Sequence, residues 1–288
     1  MLKKNKNPWI NFVGIGVPRS STTWLAQCLG EHPEIYVPAN KEFNFFTKQK
    51  SLKRKSLYEK EGLKGYYSRF GNTKGLKCGE FTPTYFYDKE TAKILKKHFP
   101  KMKVILILRD PIKRAISEYN YYKNYGIMKN FKALSKERSY YSTFLKEWMN
   151  VFGKANIKII LYEEILENPN KVLKELFTFL RVRSDFVPPS LYKKINIQGG
   201  PSSKLLLKIQ ILIPKLTNIL RERGLNKLLR MLRKIQIHKL WWFIWRTNHK
   251  PTNKKTEKIF TKEELKNYNK DILKTGKIIK RDLRGWLR

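Results

Sequence analysis

Cysteine is scarce in this sequence: Cys28 and Cys78 are the only two among 288 residues. Two thiols in apolar stretches make no disulfide framework, and both are expected to be free and inert. No uninterrupted apolar run approaches the ~18 residues of a membrane span. The opening Met1-Leu2-Lys3-Lys4-Asn5-Lys6-Asn7-Pro8 carries neither an apolar core of signal-peptide length nor a small-residue cleavage site. These absences predict a cytoplasmic protein, at most peripheral at the inner face of a membrane. No cluster of Cys, His or acids has metal-ligand spacing, so no metal is expected. Acids are the last shortage, with 23 Asp and Glu against 62 Lys and Arg and a formal net charge of +39. That excess goes far beyond what solubility requires and predicts attraction to polyanions: nucleic acid, an anionic membrane, an acidic glycan or a phosphorylated cofactor.

What is present supports an ordinary core, since 41% of the residues are hydrophobic, and a chain this long can form one large α/β domain. Residues 9–17 read as a buried strand, 16–21 as a Gly/Pro/Ser turn, and 22–30 as a helix opening directly from that turn. Helix patterns follow at 56–70 and 90–98, with a strand at 76–79 between them. Lys103-Val104-Ile105-Leu106-Ile107-Leu108 is a continuous apolar strand of the kind buried in a parallel sheet. A helix after Pro111, one over 139–151, a strand over 157–161 and a helix over 169–180 continue the alternation. The chain is therefore expected to form a central parallel sheet flanked by helices, as one domain over 1–288. Its end, 260–286, reads as a final helix with a short docking tail.

Residues 204–250 differ in character, holding twelve Lys or Arg and one acid, Glu222. Leu225, Leu228, Leu229, Leu232 and Ile235 share a helical stripe, which makes this segment a basic amphipathic helical insertion. It would pack as a cap on the sheet domain or lie against a polyanion or an anionic membrane.

Two motifs carry chemistry. Gly14-Ile15-Gly16-Val17-Pro18-Arg19-Ser20-Ser21-Thr22-Thr23-Trp24 places a turn between a strand and a helix N-terminus. Converging backbone N–H groups, hydroxyls and Arg19 make this a site for a phosphate-like anion. The Gly-Lys-Ser/Thr of a nucleotide kinase loop is missing. Such a loop also occurs as plain structure, so alone it leaves both readings open. The second motif, Arg109-Asp110-Pro111-Ile112-Lys113-Arg114-Ala115-Ile116-Ser117, starts at the carboxyl end of a buried strand, where open α/β sheets bind ligands. Arg109 and Ser117 could converge on a second phosphate; Arg109 could equally pair with Asp110.

Together these segments resemble the two cofactor signatures of the sulfotransferases that use 3′-phosphoadenosine 5′-phosphosulfate (PAPS). The likeness extends through His32-Pro33-Glu34-Ile35, Lys41-Glu42-Phe43-Asn44-Phe45-Phe46 and Glu80-Phe81-Thr82-Pro83-Thr84-Tyr85, which resemble heparan-type and prokaryotic members. It implies a phosphate-loop fold like that of nucleotide kinases, and PAPS as co-substrate with 3′-phosphoadenosine 5′-phosphate (PAP) as product. It also implies roles: Arg19 stabilising charge on the leaving phosphate; Ser20, Ser21, Thr22 and Thr23 cradling the phosphosulfate; Trp24 contacting adenine; Arg109 and Ser117 holding the 3′-phosphate. Glu42 takes the place of the catalytic base of the carbohydrate-acting branch, and Glu80, Thr82 and Tyr85 are candidate substrate contacts. Gln198-Gly199-Gly200-Pro201-Ser202-Ser203-Lys204 stands as the candidate for a further 3′-phosphate loop. Ser21 replaces the usual Gly, and Phe81 stands where some relatives have Lys.

The resemblance implies in-line sulfuryl transfer to an acceptor hydroxyl, a carbohydrate above all and one that could be membrane-linked. Such transfer resembles phosphoryl transfer in leaving most of the work to positioning and charge stabilisation. A lipid or a peptide tyrosine is the alternative acceptor. From a different class, a nonenzymatic polyanion or nucleic-acid binder would use the 204–250 charge, although no nucleic-acid motif is present.

Overall fold

Apolar strands with no polar alternation need cover on both faces, and β1 (Ile10–Gly16) and β4 (Lys103–Leu108) obtain it by lying side by side at the centre of a sheet. The computed structural model describes residues 10–47, 56–71, 73, 75–124, 136–193, 200–201, 249–250 and 260–288. With β2 (Ile35–Tyr36), β3 (Lys77–Phe81) and β5 (Ile157–Leu161), the sheet has five strands in the order β2-β3-β1-β4-β5, every pairing parallel. The expected α/β class and parallel sheet are observed.

The helices are α1 (Thr22–Gly30), α2 (Leu57–Tyr67), α3 (Lys89–His98), α4 (Pro111–Asn124), α5 (Ser142–Phe152), α6 (Tyr162–Glu167), α7 (Pro169–Leu180) and α8 (Lys262–Ile279). Their starts follow from local chemistry. Ser56 and Glu59 form a capping box on α2, Thr261 and Glu264 one on α8, and Asn168 caps α7 ahead of Pro169. Four of the predicted elements, α1, β4, β5 and α7, have the bounds expected. The short strand β2 and helix α6 carry too few residues for periodicity to reveal them.

Period-2 alternation divides the sheet's side chains between two faces. Phe12, Phe81, Ile105, Ile107 and Ile160 pack with α1 and α7 around Leu25, Leu29, Leu173 and Phe177. On the other face lies an aromatic layer that includes Phe43, Phe45, Phe46, Tyr66 and Phe70, in edge and tilted contacts 4.7–6.1 Å between ring centres. Cys28 and Cys78 are free and buried, and burial pushes the Cys28 thiol up to about 12.

The chain divides into two compact units, 1–115 with 136–196 and 260–288, and 116–135 with 197–259. The first contains the sheet. In the second, β6 (Gly200–Pro201) and β7 (His249–Lys250) form an antiparallel pair. The amphipathic insertion expected at 204–250 lies, apart from β7, outside the described residues. No described helix is long and apolar enough to cross a membrane.

Candidate functional site

The carboxyl edge of β1 and β4 gathers both chemical motifs. After Gly16 the chain turns through Pro18, Arg19 and Ser20 into α1, anchored where the Val17 N–H donates to the Ile107 carbonyl at 2.8 Å. Arg19 and Ser21 both adopt positive φ, 69° and 58°. Ser21 sits at the N-cap of α1 in the left-handed conformation, with ψ 21°, and makes no side-chain cap bond. The first N–H groups of α1 are thus left without the side-chain acceptor that usually occupies them. The hydroxyl of Ser20 is fully buried and has no hydrogen-bond partner among the described residues. A buried hydroxyl without a partner costs about 1–3 kcal/mol unless something satisfies it.

Arg109, one residue past β4, closes the loop from the side. Its Nη1 donates to the Arg19 carbonyl at 2.7 Å, and its guanidinium lies 4.4 Å from the centre of the Tyr162 ring. The buried Nε of Arg109 has no partner among the described residues. Pairing with Asp110, the bland alternative for this arginine, is not what forms. Asp110 instead accepts from the N–H groups of Ile112 and Lys113 at 2.9 and 3.1 Å, capping α4, and its other oxygen meets Arg288 at 2.5 Å. Tyr162 and Glu163 belong to a segment of weaker family likeness, Tyr162-Glu163-Glu164-Ile165, and with Tyr141 they brace this strand end, a role that the sequence does not reveal. The Tyr141 hydroxyl donates to the Arg109 carbonyl at 2.9 Å, and Glu163 accepts from the Asp110 N–H at 3.4 Å. No spacing rule singles out a residue that acts by contact across strands.

Ser117 is buried in α4, within the part of that helix assigned to the second unit. Trp24, expected to contact adenine, is buried in the core. Its indole is 6% exposed among the core side chains, and its N–H is directed at the carbonyls of Ser190 and Leu191, 3.2 and 3.1 Å away. The helical period turns it inward with Leu25 and Cys28. Of the segment 198–204, only Gly200 and Pro201 are described.

Glu42 lies on the loop before α2, held beside the end of β3 where its N–H donates to the Phe81 carbonyl at 2.7 Å. Its carboxylate is 47% exposed and pairs with Lys41 at 2.7 Å. Glu42 and Asn44 both have positive φ, 69° and 48°. Glu80, Thr82 and Tyr85, expected as substrate contacts, are all fully buried. Strand alternation turns Glu80 into the aromatic layer, where its carboxylate accepts from the Thr82 hydroxyl at 2.6 Å and the Tyr66 hydroxyl at 3.3 Å. Burial raises the Glu80 carboxyl to about 7. His32 is enclosed by Phe177 and Phe186 and bonded to the Arg183 carbonyl at 2.9 Å, a core role. His98 bonds the Tyr58 hydroxyl at 2.8 Å, and partial burial lowers its pKa.

A model of the sulfotransferase family matches residues 12–185, more than half of the chain. The chain belongs to the sulfotransferase family. Among curated relatives it is 33% identical over 115 residues to the membrane-associated sulfotransferase kil1 of Dictyostelium discoideum, covering 38% of this chain and 22% of that one. It is 25% identical over 199 residues to mouse heparan sulfate glucosamine 3-O-sulfotransferase 5, covering 62% and 55%. The chain thus spans about half or less of the length of these relatives. Among solved structures, a sulfotransferase from Alicyclobacillus acidocaldarius superposes with a TM-score of 0.62 at 20% identity, covering 97% of this chain and 99% of that one. The likeness confirms a sulfotransferase fold.

Both departures from the sulfotransferase signature acquire a physical account. Ser21 takes the left-handed conformation that glycine would adopt freely, at a steric cost of about 1–2 kcal/mol. Phe81 is 1% exposed and lies edge-on to Phe12, 6.3 Å between ring centres. It occupies the space left by Gly14, where a Cβ would come within 2.0 Å of the ring. An apolar wedge therefore stands where some relatives carry a cation.

Proposed function

We propose that this protein transfers a sulfuryl group from PAPS to a hydroxyl of a carbohydrate acceptor. The observation that carries the reading is the donor set at the β1–α1 turn: the unpartnered buried Ser20 hydroxyl, the uncapped N–H groups of α1, Arg19, and Arg109 immediately beside the loop. Such a set suits a polyanion with two phosphate-like ends better than a single phosphate.

When bound, PAPS supplies the activated sulfuryl group. Ser20, Ser21, Thr22 and Thr23 would hold its phosphosulfate, and Arg19 would hold charge on the leaving phosphate. An arginine cannot release a proton at ordinary pH, so Arg19 acts by charge alone. Arg109 would hold the 3′-phosphate; Ser117 enters that role on the family resemblance only. Glu42 is exposed and sits at the same sheet edge, and it would accept the proton of the attacking hydroxyl, a contribution of typically ~10²–10⁴ in rate. The carbohydrate acceptor is supported by the Lys41-Glu42-Phe43-Asn44-Phe45-Phe46 segment and by similarity to heparan sulfate sulfotransferases over 62% of the chain. A membrane-borne acceptor is the second reading, supported by similarity to a membrane-associated sulfotransferase over 115 residues.

The test is calorimetric titration of PAP against ADP at moderate salt, with Arg19→Ala and Arg109→Ala alongside the parent. Tight binding that requires the 3′-phosphate and weakens at least tenfold in Arg109→Ala is expected. Equal or negligible binding of both nucleotides would overturn the cofactor assignment.

A further inference from the structure

A carboxylate with no access to solvent, placed among hydroxyl and amide donors, does nothing for solubility and is costly to bury. Glu80 is such a group, and beside the Tyr66 hydroxyl of α2 its donors are the Phe43 N–H, on the loop that carries Glu42, and the Thr82 and Tyr85 hydroxyls, which bond that loop. Resting on the reading of Glu42 as base, we infer that Glu80 is a positioning residue: it never meets substrate, and through Thr82 and Tyr85 it fixes the backbone of residues 42–45 so that Glu42 is presented at the sheet edge.

The bonding runs residue by residue. The Glu42 N–H donates to the Phe81 carbonyl at 2.7 Å. The Phe43 N–H reaches the Glu80 carboxylate itself. The Asn44 N–H donates to the Thr82 hydroxyl at 3.3 Å, and that hydroxyl donates onward to Glu80 at 2.6 Å. The Phe45 N–H donates to the Tyr85 hydroxyl at 3.0 Å, which also reaches Glu80. Four successive amides thus end on β3, on the Glu80 carboxylate, or on a hydroxyl that itself bonds that carboxylate.

This bonding offsets a conformation the loop would not keep unaided. Glu42 and Asn44 occupy the left-handed region, which disfavours any residue with a Cβ and persists only where surrounding contacts over-determine it. Satisfying every lone pair of a buried carboxylate also requires these donors in one arrangement, so loop and carboxylate fix each other. Tyr66 of α2 and Tyr85 are the titratable groups facing Glu80, and both are held protonated well above their ordinary range by burial and by Glu80 itself.

Amide hydrogen exchange resolved over residues 41–46 tests this on the full chain, in the parent, Glu80→Ala, Thr82→Val and Tyr85→Phe. PAP affinity and PAPS-dependent sulfation of heparan sulfate are measured in parallel. Glu80→Ala should speed exchange of amides 43–45 at least tenfold and lower kcat at least tenfold, with PAP affinity and the apparent KM for PAPS within twofold of the parent. Thr82→Val should release chiefly Asn44, and Tyr85→Phe chiefly Phe45, which keeps the inference testable if Glu80→Ala fails to fold. Unchanged protection of 43–45 in the folded variants overturns it, as does an equal loss of protection throughout the sheet. Absent PAP binding or sulfation by the parent would instead remove the cofactor or acceptor reading, while the exchange pattern still decides whether Glu80 holds the loop.

Discussion

Raising the pH from 5 to 8 should weaken this fold through Glu80, and the size of the effect can be worked out. Burial raises the Glu80 carboxyl from 4.5 to about 7 in the folded protein, whereas the unfolded chain ionises it near the ordinary carboxylate value. Below that value both states hold the proton and folding pays nothing. Between about 4.5 and 7 the folded state keeps a proton that the unfolded state has released, so stability falls as pH rises, and above about 7 the full cost is present. Each pH unit of the window is worth about 1.4 kcal/mol, which makes the whole about 3 kcal/mol. Among the described residues, the other carboxylates with shifted values do not imitate this. Glu31, Glu175, Glu264 and Asp282 have lowered pKa values, so their contributions are complete before pH 5. His98, also lowered, works in the opposite sense by destabilising the fold as pH falls. Glu80→Gln removes only the first effect. Urea denaturation of parent and variant at pH 5 and pH 8, read from midpoints at constant m, should show the parent losing about 3 kcal/mol more than the variant on going to the higher pH. Identical pH dependence in the two proteins would refute the burial argument for this carboxylate.

Ser21→Gly should stabilise the protein by about 0.5–1 kcal/mol, because relief of the left-handed strain exceeds the added freedom of the unfolded chain; a lower denaturation midpoint contradicts that assignment. Gly14→Ala should destabilise by several kcal/mol, since its Cβ would fall 2.0 Å from the Phe81 ring, and Phe81→Leu in the same chain should recover part of the loss. Asp271→Ala should cost about 2–4 kcal/mol in thermal or urea unfolding, because that buried carboxylate accepts from the Tyr141 and Ser142 N–H groups and fastens α8 to the start of α5. Arg109→Lys should weaken PAP binding nearly as much as Arg109→Ala, since a lysine reproduces neither the contact to the Arg19 carbonyl nor the stacking on Tyr162; calorimetry decides it.

Local chemistry made much of the architecture legible without coordinates. Five apolar residues in a row at 104–108 could be read as a strand covered on both sides, and a turn rich in Gly, Pro and Ser opening into a helix as an anion site, because backbone amides and helix starts are local features. Order and spacing then sufficed to recognise a sulfotransferase, and the structure sets Arg109 beside the loop that carries Arg19 and Ser20. Tertiary structure decided what depends on which way a side chain turns and on what arrives from elsewhere in the chain. Trp24 faces the core because three residues of helix rotate it inward, and Phe81 is a wedge because Gly14 leaves room on the neighbouring strand. Glu80, Thr82 and Tyr85 read as substrate contacts in a polar motif, yet all three are fully buried: the pleat of β3 turns Glu80 toward the aromatic rings of α2 and the 42–46 loop, and the turn that follows β3 brings Thr82 and Tyr85 to its carboxylate. A motif names residue types at a spacing; whether a carboxylate meets substrate or holds another in place is fixed by long-range packing, which no spacing encodes.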